Sequence, residues 1–226
     1  MTDRVRYELR DGVADVTMDD GAVNKMGPEM LGALHEACDR AEADQAVLLL
    51  SGRPGIFSAG FDLGVFAQGR EATLGMLRAG AELARRFLSF PYPVVSLATG
   101  HAYPMGAFLL LSSDRRFGVE GDFRIGLNET AIGLTLPLFA VAVARQRLAP
   151  AYFQRVTTGD LYGPEEAVRA GFLDEVLPLE QARERALEVA TALCDIDFEA
   201  HAGTKRRVRR AALEEIDAAI EAELAG

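Results

Sequence analysis

The stretch "PYPVVSLATGHAYPMGAFLLL", residues 91–111, decides the fold of this chain. It is apolar and has the length of about 20 residues that a membrane span needs, but Pro93, Gly100 and Pro104 interrupt it. We therefore predict a buried strand in "VVSLA" (94–98), a turn in "GHAYP" (100–104) and then a helix, "MGAFLLLSSD". Pro104 suits the first helical position, where its missing N–H costs nothing. The stretch thus predicts a strand, a turn and a helix in the core of a water-soluble protein.

The same alternation of strand and helix extends in both directions from this stretch. Before it, the pattern predicts a hairpin over 5–18, a helix from Pro28, a buried strand in "AVLLLS" (46–51), a loop in "GRPGIFSAGFDLG" (52–64) and a further helix. After it, short strands near "RRFGV" and "DFRIG" precede two helices, and "GPEEAVRAGFLDEVLP" (163–178) predicts a helix, a glycine stop and a strand. From Leu179 onward the pattern is helical. We expect an α/β core over 1–178 and a helical C-terminal segment over 179–226.

Composition excludes several classes of function. The 226 residues are 49% hydrophobic, which suffices for one well-packed core, and the net charge of -10 opposes non-specific binding to nucleic acid or to an anionic membrane. The opening "MTDRVRYELRDG" lacks the apolar segment of a secretion signal, so we expect a cytoplasmic protein without a membrane anchor. Cys38 and Cys194 belong to no metal-ligand spacing, and we predict no metal site.

A basic run near the C-terminus has two interpretations. "KRRVRR" (205–210) has the composition of a nucleic-acid patch, but it is followed by the acidic "LEEIDAAIEAE" in the same helical region. Opposite charges at helical spacing form ion pairs on a solvated face. We therefore expect no nucleic-acid partner.

Three separate stretches carry the residues for chemistry. "FSAGFDL" (57–63) has a glycine that allows close approach of the backbone, and "GHAYPMGAF" (100–108) has the free N–H groups of a helix N-terminus. "IGLNETAIGL" (125–134) places the carboxylate of Glu129 among apolar and small residues. Two backbone donors and one carboxylate suit the removal of a proton next to a carbonyl, because the donors hold the enolate oxygen. Alternatively, the glycine serves only a tight turn, and Glu129 only caps the next helix.

With these motifs in place, the sequence resembles the crotonase, or enoyl-CoA hydratase/isomerase, superfamily. The resemblance covers "VNKM", "FSAGFDL", the helix "MGAFLLLSSD", the Glu129 loop and "GPEEAVRAGFLDEVLP". It implies a crotonase-like spiral of ββα units and an acyl-CoA thioester as substrate, with coenzyme A as part of the substrate and no other cofactor. It places the oxyanion-hole amides at Phe61 and Met105, and it implies a homotrimer or a dimer of trimers whose C-terminal segment serves oligomerisation and covers the cleft.

The resemblance also suggests which reaction of the family applies. Its hydratases use two glutamates, of which one matches Glu129 and the other would fall at Phe108. A phenylalanine cannot polarise water, and its ring is expected to dry the space above the acyl chain. The resemblance therefore favours an isomerase of fatty acid metabolism that moves the double bond of a 3-enoyl-CoA to the 2-trans position through Glu129. The alternatives are an enoyl-CoA hydratase, another crotonase-type hydrolase or decarboxylase, or a catalytically weak acyl-CoA-binding homologue.

The remaining candidate residues are those expected to bind the substrate. Basic side chains are needed for the phosphates of coenzyme A. His101, beside Tyr103, is interpreted as structural. The full set of predicted substrate and coenzyme A contacts is Lys25, Arg53, Ala59, Gly60, Asp62, Leu63, Gly106, Phe108 and Lys205.

Overall fold

The computed structural model describes residues 4–224, which form two sheets and ten α-helices. Residues 1–3 and 225–226, which the predicted core and C-terminal segment include, lie outside the described residues. The larger sheet has six strands in the order β1-β2-β3-β5-β7-β10. Its strands are β1 (Val5–Arg10), β2 (Val13–Met18), β3 (Val47–Ser51), β5 (Val94–Ala98), β7 (Arg115–Val119) and β10 (Glu175–Leu177). The predicted hairpin is confirmed as the antiparallel pair β1 and β2, and the other pairs are parallel.

A smaller sheet of four strands was not predicted. Its order is β4-β6-β8-β9, and it contains β4 (Gly55–Ser58), β6 (Gly100–Ala102), β8 (Ile125–Gly126) and β9 (Leu161–Tyr162). The first two strands replace what the sequence indicated as a loop and a turn. Each is too short for an alternating pattern to show. In chain order β3, β5 and β7 are each followed by a strand of the smaller sheet, and this repetition forms the spiral of ββα units.

The helices cover both faces of the larger sheet. On one face, α8 packs over β3, β5 and β7 through the small side chains of Ala182, Ala186 and Ala190. On the other face a larger core is formed with α1, α3, α4 and α5. The helices are α1 (Pro28–Ala43), α2 (Leu63–Phe66), α3 (Arg70–Ser89), α4 (Pro104–Ser112), α5 (Leu138–Arg145), α6 (Pro150–Arg155), α7 (Pro164–Ala170), α8 (Leu179–Ala192), α9 (Phe198–Val208) and α10 (Arg210–Glu223).

The last helix folds back onto the body of its own chain. Helix α10 packs on α5 and α3, with Ile216 and Ile220 buried. Asp217 pairs with Arg85 of α3, and the Glu223 carboxylate accepts a hydrogen bond from the Leu138 N–H at 2.8 Å. The end of α10 therefore caps the beginning of α5 through a charge-assisted bond.

A buried ionic cluster attaches α9 to the core and corrects one prediction. The Lys205 ammonium lies 2.6 Å from Asp114 Oδ2, and the Arg209 guanidinium lies 2.7 Å from Asp114 Oδ1. Only 3% of the Lys205 side chain is exposed, and burial lowers its pKa to about 8. An ammonium held in this way serves the packing of α9 and is not placed to meet the phosphates of coenzyme A.

No helix within residues 4–224 combines the length and the apolar character that crossing a bilayer requires.

Candidate active site

A mostly apolar cavity of about 310 Å³ contains the predicted catalytic carboxylate. It lies where the segment after β4, the beginning of α4 and the segment after β8 converge, and α3 forms a further wall. The lining residues are Ala59, Gly60, Phe61, Leu63, Phe66, Leu77, Tyr103, Pro104, Asn128, Glu129, Ile132, Leu134, Thr135 and Pro137. All three stretches that the sequence singled out therefore reach one cavity.

The first backbone donor is the Phe61 amide, which follows β4 after Ala59 and Gly60. Met26 and Phe61 form an isolated parallel bridge, in which the Met26 N–H donates to the Gly60 oxygen at 2.9 Å and the Asp62 N–H donates to the Met26 oxygen at 3.4 Å. A parallel bridge of this kind does not use the N–H of Phe61 itself. Gly60 has φ +87, a conformation that favours glycine, and it turns the chain so that this N–H is left for a ligand.

The second donor is the Met105 amide in the first turn of α4. Pro104 occupies the first helical position, and the first N–H bonded within the turn is that of Ala107, which donates to the Tyr103 oxygen at 2.9 Å. The Met105 N–H therefore belongs to the donors that a helix leaves free at its N-terminus. The Tyr103 N–H donates to the Ser58 oxygen at 2.9 Å, so the two donor segments are joined by a backbone hydrogen bond.

Buried polar side chains hold the Phe61 segment in place. The Ser58 hydroxyl donates to the Asn24 backbone oxygen at 2.8 Å and accepts from the Gly60 N–H at 3.0 Å. The Asn24 amide in turn donates to the oxygens of Met18 and Phe57. Since Asn24 and Ser58 are fully buried, these bonds are shielded from water and fix the backbone before Phe61.

Glu129 is buried, and none of the residues 4–224 pairs with its charge. It precedes a 3₁₀ turn (Thr130–Ile132) and is 7% exposed, and its Oε2 atom has no hydrogen-bond partner among the described residues. Burial raises the pKa of this carboxyl to about 7. Such a group loses and regains a proton readily near neutral pH, which is the property that an acid–base catalyst requires. The interpretation of Glu129 as a mere helix cap is not supported, because its side chain makes no capping bond to the turn.

The raised pKa of Glu129 makes the stability of the folded protein depend on pH. Because the folded pKa, about 7, exceeds the ordinary 4.5, the folded protein binds this proton more tightly than the unfolded chain does. The resulting stabilisation is complete below pH 4.5 and is lost as the pH rises to about 7. Glu129→Gln removes the buried charge, so we expect it to stabilise the protein at pH 8 by up to about 3 kcal/mol and to have little effect at pH 4.

Thermal unfolding of the wild type and Glu129→Gln across this pH range measures the effect. Equal differences in Tm at pH 4 and pH 8 would contradict the raised pKa. Glu165→Gln, on an exposed position of α7, is a matched control that should show no such dependence.

The predicted binding residues fall into three groups. Ala59, Gly60 and Leu63 line the cavity with Phe61 and Glu129. Next to the cavity, Asp62 caps α2 through the Gly64 N–H at 2.9 Å, Lys25 lies 3.8 Å from the Asp62 carboxylate, and Gly106 packs on Ser58. Away from it are Arg53, Phe108 and Lys205.

Arg53 lies in a separate open depression. Its guanidinium lies 3.7 Å from the Asp19 carboxylate and donates to the Ala22 oxygen, and its neighbours there include Arg4 and Arg6.

Within residues 4–224, no group of three His, Cys, Asp or Glu side chains is placed to hold a metal ion.

Phe108 corrects a prediction about the dry wall of the site. Its ring is fully buried, packs edge-on against Phe139 of α5 at 5.6 Å between centroids, and is not part of the cavity lining. The walls that exclude water are instead Phe61, Phe66 and Leu77. Phe108 belongs to the core behind the site.

The sequence did not single out several cavity residues individually, although three of them lie in the stretches quoted above. Tyr103, Leu77, Asn128 and Leu134 line the cavity, and the only signal for Tyr103 was its position directly before Pro104. His101, which the sequence interpreted as structural, is not among the described residues that line the cavity. Its ring stacks on Tyr103, and its Nδ1 accepts a hydrogen bond from the Arg124 N–H at 3.0 Å.

Comparison with known proteins gives concordant matches. A family model described as "Enoyl-CoA hydratase/isomerase" matches residues 8–225. The chain is 31% identical over 207 residues to human "Enoyl-CoA delta isomerase 1, mitochondrial", covering 88% of this chain and 68% of that protein. An enoyl-CoA hydratase/isomerase family protein of Pseudomonas syringae superposes with TM-score 0.96 at 44% identity, covering 99% of this chain and 97% of that chain. An enoyl-CoA hydratase of Mycobacterium ulcerans superposes with TM-score 0.92 at 42% identity, covering 96% of each chain.

Proposed function

Because the chain belongs to the enoyl-CoA hydratase/isomerase family, we propose that it isomerises 3-enoyl-CoA to 2-trans-enoyl-CoA with Glu129 as the single acid–base group. Coenzyme A enters the reaction only as part of the substrate. The observation that carries the proposal is the content of the cavity. Among the described residues that line it, Glu129 is the one acidic side chain. One carboxylate suffices to move one proton between two carbons.

In this mechanism the substrate binds with its thioester oxygen between the Phe61 and Met105 N–H groups. Glu129 removes a proton from C2, and the electron pair that remains is delocalised over the former C3=C4 double bond and the oxygen. The two N–H groups stabilise the negative charge of this dienolate. The protonated Glu129 then delivers the same proton to C4, the C2=C3 bond forms, and the carboxylate is restored. Substrate and product have the same atoms, so no further reactant is needed.

The surroundings of Glu129 support this role. Apolar walls exclude water, which strengthens the hydrogen bonds to the enolate oxygen and keeps solvent from capturing the intermediate. A carboxyl with a pKa of about 7 is a strong enough base to take the proton and a strong enough acid to return it.

The names of the relatives include both reactions of the family. The human relative is an enoyl-CoA delta isomerase, while the Mycobacterium ulcerans relative is a hydratase. Hydration is thus the second candidate function, and hydrolysis, decarboxylation and binding without turnover are further alternatives. The isomerase is preferred because the hydratases of the family need a second carboxylate, which the cavity does not supply.

The decisive experiment mixes the purified protein with 3-enoyl-CoA substrates of increasing chain length. Isomerisation produces a conjugated 2-enoyl thioester, which is followed by its ultraviolet absorbance. Formation of this product supports the proposal, and the dependence on chain length defines the acyl specificity. If no 3-enoyl-CoA is converted while a 2-enoyl-CoA is hydrated, the proposal is wrong.

Contacts with the nucleotide part of coenzyme A are proposed for Lys25 and Arg53. The Lys25 side chain is 55% exposed beside Asp62, next to the cavity, and Arg53 is partly exposed in the separate depression described above. Both ammonium and guanidinium groups bind phosphate.

The cytoplasmic location expected from the sequence stays a prediction.

We also propose that the protein assembles into a homotrimer or a dimer of trimers. Light scattering coupled to gel filtration should then give about 73 kDa, three times the chain mass of 24.4 kDa, or twice that value. A single species of 24.4 kDa at micromolar concentration would contradict the prediction.

A further inference from the structure

Helix α3 contains a buried glycine, Gly80, at the point where it packs against the side chains of Phe61 and Met105. A Cβ built on Gly80 would lie 2.7 Å from Cε1 and 2.7 Å from Cζ of the Phe61 ring, and 3.0 Å from the Met105 sulfur. Real Cβ atoms essentially never come as close as the two ring carbons would, and the distance to the sulfur is also tighter than nearly all real Cβ contacts. The two side chains that meet at Gly80 therefore belong to the two residues whose N–H groups face the substrate oxygen in the proposed mechanism.

We propose that Gly80 is a positioning residue for the oxyanion hole. The missing side chain lets the Phe61 ring and the Met105 thioether pack directly against the backbone of α3. This contact sets how far the ring recedes from the cavity and thereby the direction of the Phe61 N–H. The inference rests on the roles proposed above for the Phe61 and Met105 amides, but not on which reaction the enolate undergoes.

The glycine has no conformational reason to be at this position. Gly80 lies inside the 20-residue helix α3 and does not have a positive φ, so alanine would satisfy the backbone equally well. Glycine inside a helix is less stable than alanine. The close approach of Phe61 and Met105 is the compensating feature that the structure shows at this point.

An added methyl group would act mainly through the Phe61 ring. The Met105 thioether is flexible and adapts at small cost, whereas the ring is rigid and forms part of the cavity wall. The ring has to turn about its side-chain bonds into the cavity or to shift together with its backbone. A ring turned into the cavity displaces the thioester, and a shifted backbone redirects the Phe61 N–H, so either change disturbs the alignment of the N–H with the thioester oxygen, and a misplacement of about 1 Å is sufficient to slow an enzyme by up to about 10²-fold.

The test compares Gly80→Ala with Gly75→Ala. Gly75 lies on the same helix, is exposed, and has no atom within 4 Å of a built Cβ, so it controls for the change in helix propensity. We expect Gly80→Ala to lower kcat with 3-enoyl-CoA by about tenfold or more and to change KM less, since the loss concerns the transition state. Gly75→Ala should stay within about twofold of the wild type and should not lower Tm.

A spectroscopic probe reports on the oxyanion hole without turnover. The absorption of a 2,4-dienoyl-CoA shifts to longer wavelength when hydrogen bonds polarise its carbonyl. Wild type and Gly75→Ala should produce this shift, and Gly80→Ala should produce a smaller one at saturating ligand. If wild type polarises the probe but fails to isomerise 3-enoyl-CoA, the proposed function is wrong and the inference on Gly80 still stands on the probe.

A second variant separates positioning from general damage to the fold. Phe61→Leu keeps the backbone N–H but shortens the side chain that meets the new methyl group. In the Phe61→Leu background we expect Gly80→Ala to cost less than about twofold in kcat, because the contact has been relieved. A loss as large as in the wild-type background, or a Gly80→Ala enzyme with the kcat and absorption shift of Gly75→Ala, would overturn the inference.

Discussion

Replacing Glu129 with glutamine is expected to lower turnover of 3-enoyl-CoA by about 10²–10⁴-fold while acyl-CoA binding stays nearly unchanged. Glutamine has the size of glutamate but cannot take the proton from C2. The two amides and the apolar walls remain, so the thioester still has its binding site. The measurement is kcat from steady-state kinetics, together with the dissociation constant of a saturated acyl-CoA.

The control for this experiment is again Glu165→Gln, which leaves the cavity untouched. Near-normal turnover of Glu129→Gln would remove this carboxylate from the mechanism. A large loss of acyl-CoA affinity would instead assign Glu129 to binding. The expected increase in stability of the same variant at pH 8 makes a collapse of the fold easy to recognise.

The second large effect is a difference between two reactions of the wild type. We expect hydration of a 2-enoyl-CoA to be at least about 10²-fold slower than isomerisation of the matching 3-enoyl-CoA, the factor associated with one missing acid–base group. Hydration needs a hydroxyl delivered to C3 and a proton delivered to C2. A water molecule between Glu129 and the apolar walls has no second carboxylate to orient or activate it.

Both rates are measured on the same preparation by the loss or gain of the conjugated absorbance. Rapid hydration without isomerisation would show that an acid outside the cavity lining completes the site. Introducing a carboxylate by Phe108→Glu does not test this point, although the family resemblance suggests it. The new charge would lie in the core against Phe139, and destabilisation is the expected result.

The sequence predicted those elements whose burial leaves a clear pattern. Strands β3 and β5 are buried along their whole length, so their sequences are short, continuous apolar runs. The strands β4, β6 and β9 have two to four residues, and no periodicity can appear over so short a range. Their position depends on pairing with strands that are distant in the sequence.

The parts of the site that depend on local backbone geometry were predictable from the sequence. The directions of side chains that depend on packing between distant segments were less predictable. Glycine at position 60 and proline at position 104 signal a turn and a helix start directly. In contrast, all residues of α4 are buried, so its sequence has no polar face to show which way Phe108 points. Likewise Lys205 lies 91 positions from Asp114, and only the folded chain brings the two together.

The position of α10 has a consequence for biosynthesis. Helix α10 is synthesised after the other nine described helices, yet it packs on α3, which carries Gly80, and its Glu223 caps α5 beside the cavity residue Pro137. A nascent chain that ends before Arg210 would expose the apolar surfaces of α3 and α5 that Ile216 and Ile220 cover. Premature release of the polypeptide would therefore yield a species that aggregates readily and is bound by chaperones or degraded by proteases. We expect no partly active enzyme to accumulate.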